Sequence, residues 1–112
     1  MIPMLKLRDI HPITCDACHD GVGTLSCRSL MEGFKNKNFF IHSDEMPAGV
    51  SIGVHPHDGG YEEAYYLVSG KGILTFDGVE YEMQAGDISL CTGGHSHGFL
   101  ATENSVLLVV GG

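Results

Sequence analysis

Short apolar runs alternate along the chain with clusters of glycine, aspartate and asparagine, and the runs are rich in Val, Ile, Phe and Tyr. They are GTLSCRSLM from residue 23, NFFIHSDEM from 38, VSIGVHPH from 50, EAYYLVSG from 63, GILTF from 72, VEYEM from 79, ISLCT from 88, HGFLAT from 97 and SVLLVV from 105. Asp77-Gly78 separates two of these runs. It is the strongest hairpin signal in the chain, because both central residues of a two-residue turn need positive φ. No segment sustains a helical period, and nothing repeats at fixed spacing. The pattern predicts an all-β domain, a sandwich or barrel that limits its exposed strand edges. Residues 1–22 fall outside the pattern and read as an N-terminal arm or loop, leading into a β-domain over residues 23–112.

At 112 residues the chain makes one domain, with a core that a partner subunit would help to bury. Its six Lys and Arg stand against fourteen Asp and Glu, a formal charge of -8. Neither nucleic acid nor an anionic membrane is expected as a partner, since both are held by clustered cations. No apolar run approaches the length of a membrane span. The opening MIPMLKLRDIHP has no apolar core or cleavage site of a secretory signal, so a cytoplasmic location is expected. In that compartment the four cysteines are expected as thiols or metal ligands rather than a disulfide framework.

Candidate chemistry gathers on the histidines. His55 and His57 are two residues apart, a spacing that puts both side chains on one face of a strand, as two ligands of one ion require. Glu63 follows an Asp-Gly-Gly turn, and His97 opens another strand. Three imidazoles and a carboxylate suit Mn, Fe, Ni, Co, Cu or Zn as divalent ions.

In these residues the sequence resembles the cupins. Gly49, His55, His57, Glu63 and Gly70 follow the first cupin motif, and Gly86, Gly94 and His97 follow the second, with Thr92 in place of its usual proline and Ala101 in place of its usual asparagine. The resemblance runs from about Leu25 to Val110. It implies a double-stranded β-helix, the jelly-roll barrel, with one divalent metal per chain inside (Mn, Fe, Ni or Zn) and commonly a homodimer. One departure touches a ligand: five residues separate His57 from Glu63 where the motif has three or four. Glu62 satisfies the shorter spacing, whereas Glu63 keeps the six-residue count along the strand to Gly70. A flexible Gly-Gly loop absorbs an extra residue more easily than a strand does, so Glu63 is preferred and Glu62 is the alternative.

Alternation predicts the surroundings. With His55, His57 and Glu63 inward, Ser51, Gly53, Tyr65, Leu67, Phe99 and Ala101 point inward too, a mostly apolar pocket for a small molecule. Tyr65 is the inward phenol available to a bound ligand, His95 is a candidate rim group, and Arg28 is the one arginine placed to enter the barrel. Ile52, Val54, Tyr66 and Val68 then face outward and form an apolar patch, a second reason to expect a homodimer. Two function classes follow. The first is a metal-dependent enzyme on a small polar metabolite, of dioxygenase, decarboxylase, isomerase or lyase type; the second is a non-catalytic module that binds a small ligand or senses a metal.

CDACHDG, from Cys15, carries the Cys-x-x-Cys-His pattern of covalent haem attachment. An all-β chain with its own metal site offers no helical haem crevice, so no haem is expected. Zinc held by Cys15, Cys18 and Cys27 with His19 or Cys91, and a redox pair of Cys15 with Cys18, are alternatives to the plain expectation of loop thiols.

Overall fold

The computed structural model describes residues 3–112. Ten strands appear in chain order: β1 (Ile13–Asp16), β2 (Thr24–Ser29), β3 (Phe40–Met46), β4 (Ser51–Pro56), β5 (Glu63–Ser69), β6 (Lys71–Phe76), β7 (Val79–Gln84), β8 (Ile88–Cys91), β9 (Ser96–Ala101) and β10 (Ser105–Gly111). They form a six-stranded sheet in the order β1-β2-β3-β10-β5-β8 and a four-stranded sheet in the order β4-β9-β6-β7. Every pairing is antiparallel. The Asp77-Gly78 hairpin forms as its sequence predicts: both residues have positive φ, and Phe76 pairs with Val79 across the turn.

The core lies between the sheets. Leu25, Met46, Leu67, Leu107 and Val109 of the larger sheet meet Ile52, Leu74, Met83, Phe99 and Ala101 of the smaller one. This is a jelly-roll sandwich of two facing sheets, not the closed barrel that was expected, because no ladder joins the sheets among the described residues. The chain leaves one sheet for the other at corners that interrupt pairing. Two of these corners are Pro47-Ala48-Gly49, where proline has no N–H to donate, and Gly70, whose φ of 92° turns β5 into β6.

Three further expectations need correction. Within the N-terminal arm, Ile13–Asp16 is a strand: this run, too short to show a period, pairs along the open edge of β2 and extends the larger sheet. Arg28 does not enter the core. It lies on the face of β2 that carries Ser26, paired with Glu45, and its Nε donates to the Ile10 carbonyl at 3.1 Å, so the N-terminal segment covers it. Ile52 does not face out. A β-bulge sets Gly53 and Val54 against Gly98 alone, so Ile52 pairs inward with Phe99 and His55 still pairs inward with His97. Val54, Tyr66 and Val68 are exposed as predicted, but Val54 sits on the smaller sheet and the other two on the larger, so they form no single patch.

Candidate metal centre

Two elements from the smaller sheet and one from the larger bring the predicted ligands together. His55 on β4 and His97 on β9 are cross-strand partners, and the bulge just before His55 restores its inward direction. His57 lies one residue past β4. Its backbone is clamped on both sides, its N–H donating to the His95 carbonyl (3.0 Å) and its carbonyl accepting from Gly94 (2.8 Å). Glu63 is the first residue of β5, where it enters the space between the sheets. Glu62 is exposed, and its backbone pairs with Gly112, so the carboxylate brought to the histidines is that of Glu63.

One donor atom from each of His55, His57, Glu63 and His97 lies within 4.8 Å of the other three. The Nε2 atoms of His57 and His97 are 2.7 Å apart, and Glu63 Oε1 lies 3.0 Å from His97 Nε2 and 3.5 Å from His57 Nε2. Where no proton bridges them, lone-pair atoms at this spacing repel, and one divalent ion answers all of them at once. The fit is supported by tautomers: His55 Nδ1 donates to the Gly53 carbonyl at 2.8 Å, which leaves its Nε2 lone pair for a metal. His97 is fully buried, and its Nδ1 has no hydrogen-bond partner among the described residues.

Electrostatics favour the metal-ready forms. Burial lowers the pKa of His55 and of His57, which keeps both imidazoles neutral. Burial alone would raise the Glu63 carboxyl, but the hydrogen bond to His97 and the neighbouring imidazoles outweigh it and hold the group below its usual range. Tyr65 is driven the other way, chiefly by burial and then by the charges of Glu63 and Asp44, so its phenol stays protonated and able to donate.

Each of the three imidazoles is braced by a ring of its own. His19 stacks on His55 (centroids 3.7 Å apart), Tyr61 on His57 (4.7 Å) and Tyr65 on His97 (4.1 Å). Tyr61 also donates its hydroxyl to Glu63 Oε2 at 3.2 Å, and burial and Glu63 together push its phenol up to about 12. Neither His19 nor Tyr61 was singled out as a site residue of the His-Glu centre from the sequence. The available signals were the histidine that closes CDACH and a tyrosine two residues before the ligand carboxylate.

The CDACH segment is bonded, not free: Cys15 and Cys18 form a disulfide, with Cα atoms 5.8 Å apart, which corrects the expectation of loop thiols. Ala17 in the left-handed region folds the chain back so that Cys18 meets Cys15, and the 3-10 turn Cys18–Asp20 then lies on β4. The approach is possible only without side chains, since a Cβ on Gly53 would fall 2.0 Å from the His19 carbonyl oxygen and one on Gly21 2.2 Å from that of Ser51. The disulfide, His19, His55, Glu63 and Tyr65 line one cavity of about 240 Å³. No Lys or Arg lines it. His95 stays at the rim outside the four donors, half exposed, with Nδ1 2.5 Å from Asp77 Oδ2 and its ring against Phe76. Asp77 also accepts from the Ser96 amide (2.9 Å), which fixes the start of β9 ahead of His97.

Comparison with known proteins agrees with this geometry. The family model described as "Cupin domain" matches residues 43–111, more than half of the chain. A relative from Thermotoga maritima named "Oxalate-binding protein" is 28% identical over 106 residues, covering 93% of this chain and 87% of the relative. A solved structure from Thermotoga maritima, described as a predicted oxalate decarboxylase, superposes with a TM-score of 0.84 at 27% identity, over 96% of this chain and 95% of that one. A sugar phosphate isomerase from a cupin superfamily, from Silicibacter pomeroyi, is similar in fold, with a TM-score of 0.81 at 22% identity, over 97% of this chain and 74% of that one. With the family model running from within β3 through β10 and four candidate donors converging between the sheets, the chain belongs to the cupin domain family.

Proposed function

We propose that the chain binds one divalent transition metal (Mn, Fe, Ni or Zn) through His55, His57, Glu63 and His97, and uses it as an enzyme on a small, oxygen-bearing, chelating metabolite. The observation that carries this reading is the convergence of three imidazoles and one carboxylate within 4.8 Å. A bound ion of this kind supplies Lewis acidity to substrate oxygens, and four protein ligands leave about two positions open on an octahedral ion. Because no Lys or Arg lines the cavity, an anionic ligand has to be neutralised at the metal. The chain's own part is positional: His19, Tyr61 and Tyr65 hold the imidazole planes, Tyr65 offers its hydroxyl to the bound ligand, and Ile52 and Val109 keep that wall dry. His95 is assigned no ligand role. Its ring is held against Phe76 and Asp77, beside the start of β9.

A small dicarboxylate of the oxalate class fits a cavity of about 240 Å³, and the relative named for oxalate binding favours the second reading, capture without turnover. The experiment is elemental analysis of protein purified without a metal-affinity tag, together with His57→Ala and His97→Ala. Metal content unchanged in both variants refutes the site. Calorimetry with oxalate on the loaded protein, followed by assays for released carbon dioxide and consumed dioxygen, then separates the two readings: binding with no product decides for the module.

A further inference from the structure

A second group of metal-type donors lies outside the His-Glu centre. Cys27 on β2 pairs directly with Asp44 on β3, and His42 lies two residues from Asp44, so all three side chains share the inner face of the larger sheet. One donor atom from each lies within 4.8 Å of the other two. The His42-Ser43-Asp44 spacing is the same device that sets His55 beside His57. All three residues also line the cavity that holds His55 and Glu63.

Asp44 makes this cluster more than a chance meeting. It is 2% exposed, and a buried carboxylate is costly unless a cation lies against it. The group against it is His42, whose Nδ1 is 2.7 Å from Asp44 Oδ1. We propose that Cys27, His42 and Asp44 form a second divalent-cation site, for a thiophilic ion of the Zn²⁺ kind, on the wall of the same cavity. A thiolate, an imidazole and a carboxylate are three of the four donors of a tetrahedral zinc site, and all three residues line the cavity, from which a fourth donor would come. Thiolate and neutral imidazole are the metal-binding forms of these side chains, so uptake of a divalent ion here releases protons. A ligand held at the His-Glu metal thereby has a second cation within the same cavity, in a wall that offers no Lys or Arg.

The test is a Co²⁺ titration of metal-free, tag-free protein with the Cys15–Cys18 disulfide intact. The expected result is two equivalents bound, one of them with a near-ultraviolet sulfur-to-cobalt band. Cys27→Ser keeps one equivalent and loses the band, whereas the double variant His57→Ala, His97→Ala keeps the band and loses the other equivalent. A failure of the His-Glu site is thus read separately from a failure of this one. A single equivalent in both the wild type and Cys27→Ser, or a band that survives Cys27→Ser, overturns the proposal. A measurement without any variant guards against misfolding: Zn²⁺ slows alkylation of Cys27 by iodoacetamide by about tenfold or more, read by mass spectrometry, and Mg²⁺ does not. Equal alkylation rates with and without Zn²⁺ also overturn it.

Discussion

Gly53→Ala tests whether the CDACH turn is a working part of the metal centre. Gly53 sits in the bulge of β4, under the turn, and gives its carbonyl to His55 Nδ1. A Cβ there would lie 2.0 Å from the His19 carbonyl oxygen and 2.8 Å from the Gly21 nitrogen. Ordinary contact begins near 3.4 Å, so the turn has to lift by more than 1 Å. Both obstructing atoms are backbone, and no side-chain rotation relieves the clash. Overpacking of this kind costs about 1–3 kcal/mol, and separating His19 from His55 forfeits a stacked pair worth about 0.5–1.5 kcal/mol. Together they destabilise the fold by about 2–4 kcal/mol, a fall in Tm of roughly 8–16 °C for a domain of this size. Metal affinity falls as well, by about tenfold, because the group that orients His55 is displaced. The assay is thermal unfolding with and without metal, beside competitive metal binding. His19→Ala is the companion variant: it removes the stacked ring without a clash and loses only the smaller amount. A Tm within 2 °C of wild type for Gly53→Ala, with metal affinity unchanged, refutes the account of the turn as a brace.

The remaining predictions concern the carboxylate, pH and assembly. Glu63→Gln lowers metal affinity by at least about tenfold, while Glu62→Gln, at an exposed position, leaves it unchanged; elemental analysis after dialysis distinguishes them. Burial opposes a charge on His42, but its hydrogen bonds with Asp44 and Cys27 prevail and raise its pKa from 6.5 to about 10. The resulting stabilisation of metal-free protein is complete below pH 6.5 and is lost as the pH rises through about 10, so the advantage of wild type over His42→Asn in urea unfolding shrinks by about 2–4 kcal/mol across that window. If the chain forms the expected homodimer through the outer apolar face of β5 and β8, where Ile88 and Leu90 are exposed beside Tyr66, then Leu90→Lys yields a monomer in sedimentation while a wild-type monomer rejects the dimer.

What was legible in the sequence is what depends on local spacing. The His55-x-His57 pair, the Asp77-Gly78 turn and the six-residue count that selects Glu63 over Glu62 are each set within one strand or turn, where side-chain direction follows from alternation. Ile52 shows the limit. Alternation carried back from His55 puts it outside, and a bulge of one extra residue reverses every direction before it. Gly53 inside a strand was the available warning, since a glycine there marks a bulge or a close approach, and in this protein it marks both. Cys27, His42 and Asp44 were beyond reach for another reason: they meet through the β2–β3 register, which no local pattern specifies. Closure into a barrel likewise depends on whether the last strands of two sheets find each other, and neither composition nor periodicity encodes that.

The likeness of CDACH to a haem attachment motif has a physical basis. Two cysteines separated by two residues close one tight turn, and the residue after the second cysteine leaves that turn in a fixed direction. Here the direction is set by left-handed conformations at Ala17, His19 and Asp20, each costly for a residue with a side chain. Such a turn persists where its surroundings over-determine it. The disulfide closes it from one side, the bare backbones of Gly21 and Gly53 receive it from the other, and stacking on His55 occupies its outgoing ring. In a haem protein the spacing presents a histidine to iron. In this chain it presents His19 to the back of another histidine, so its effect on metal chemistry passes through the orientation of His55.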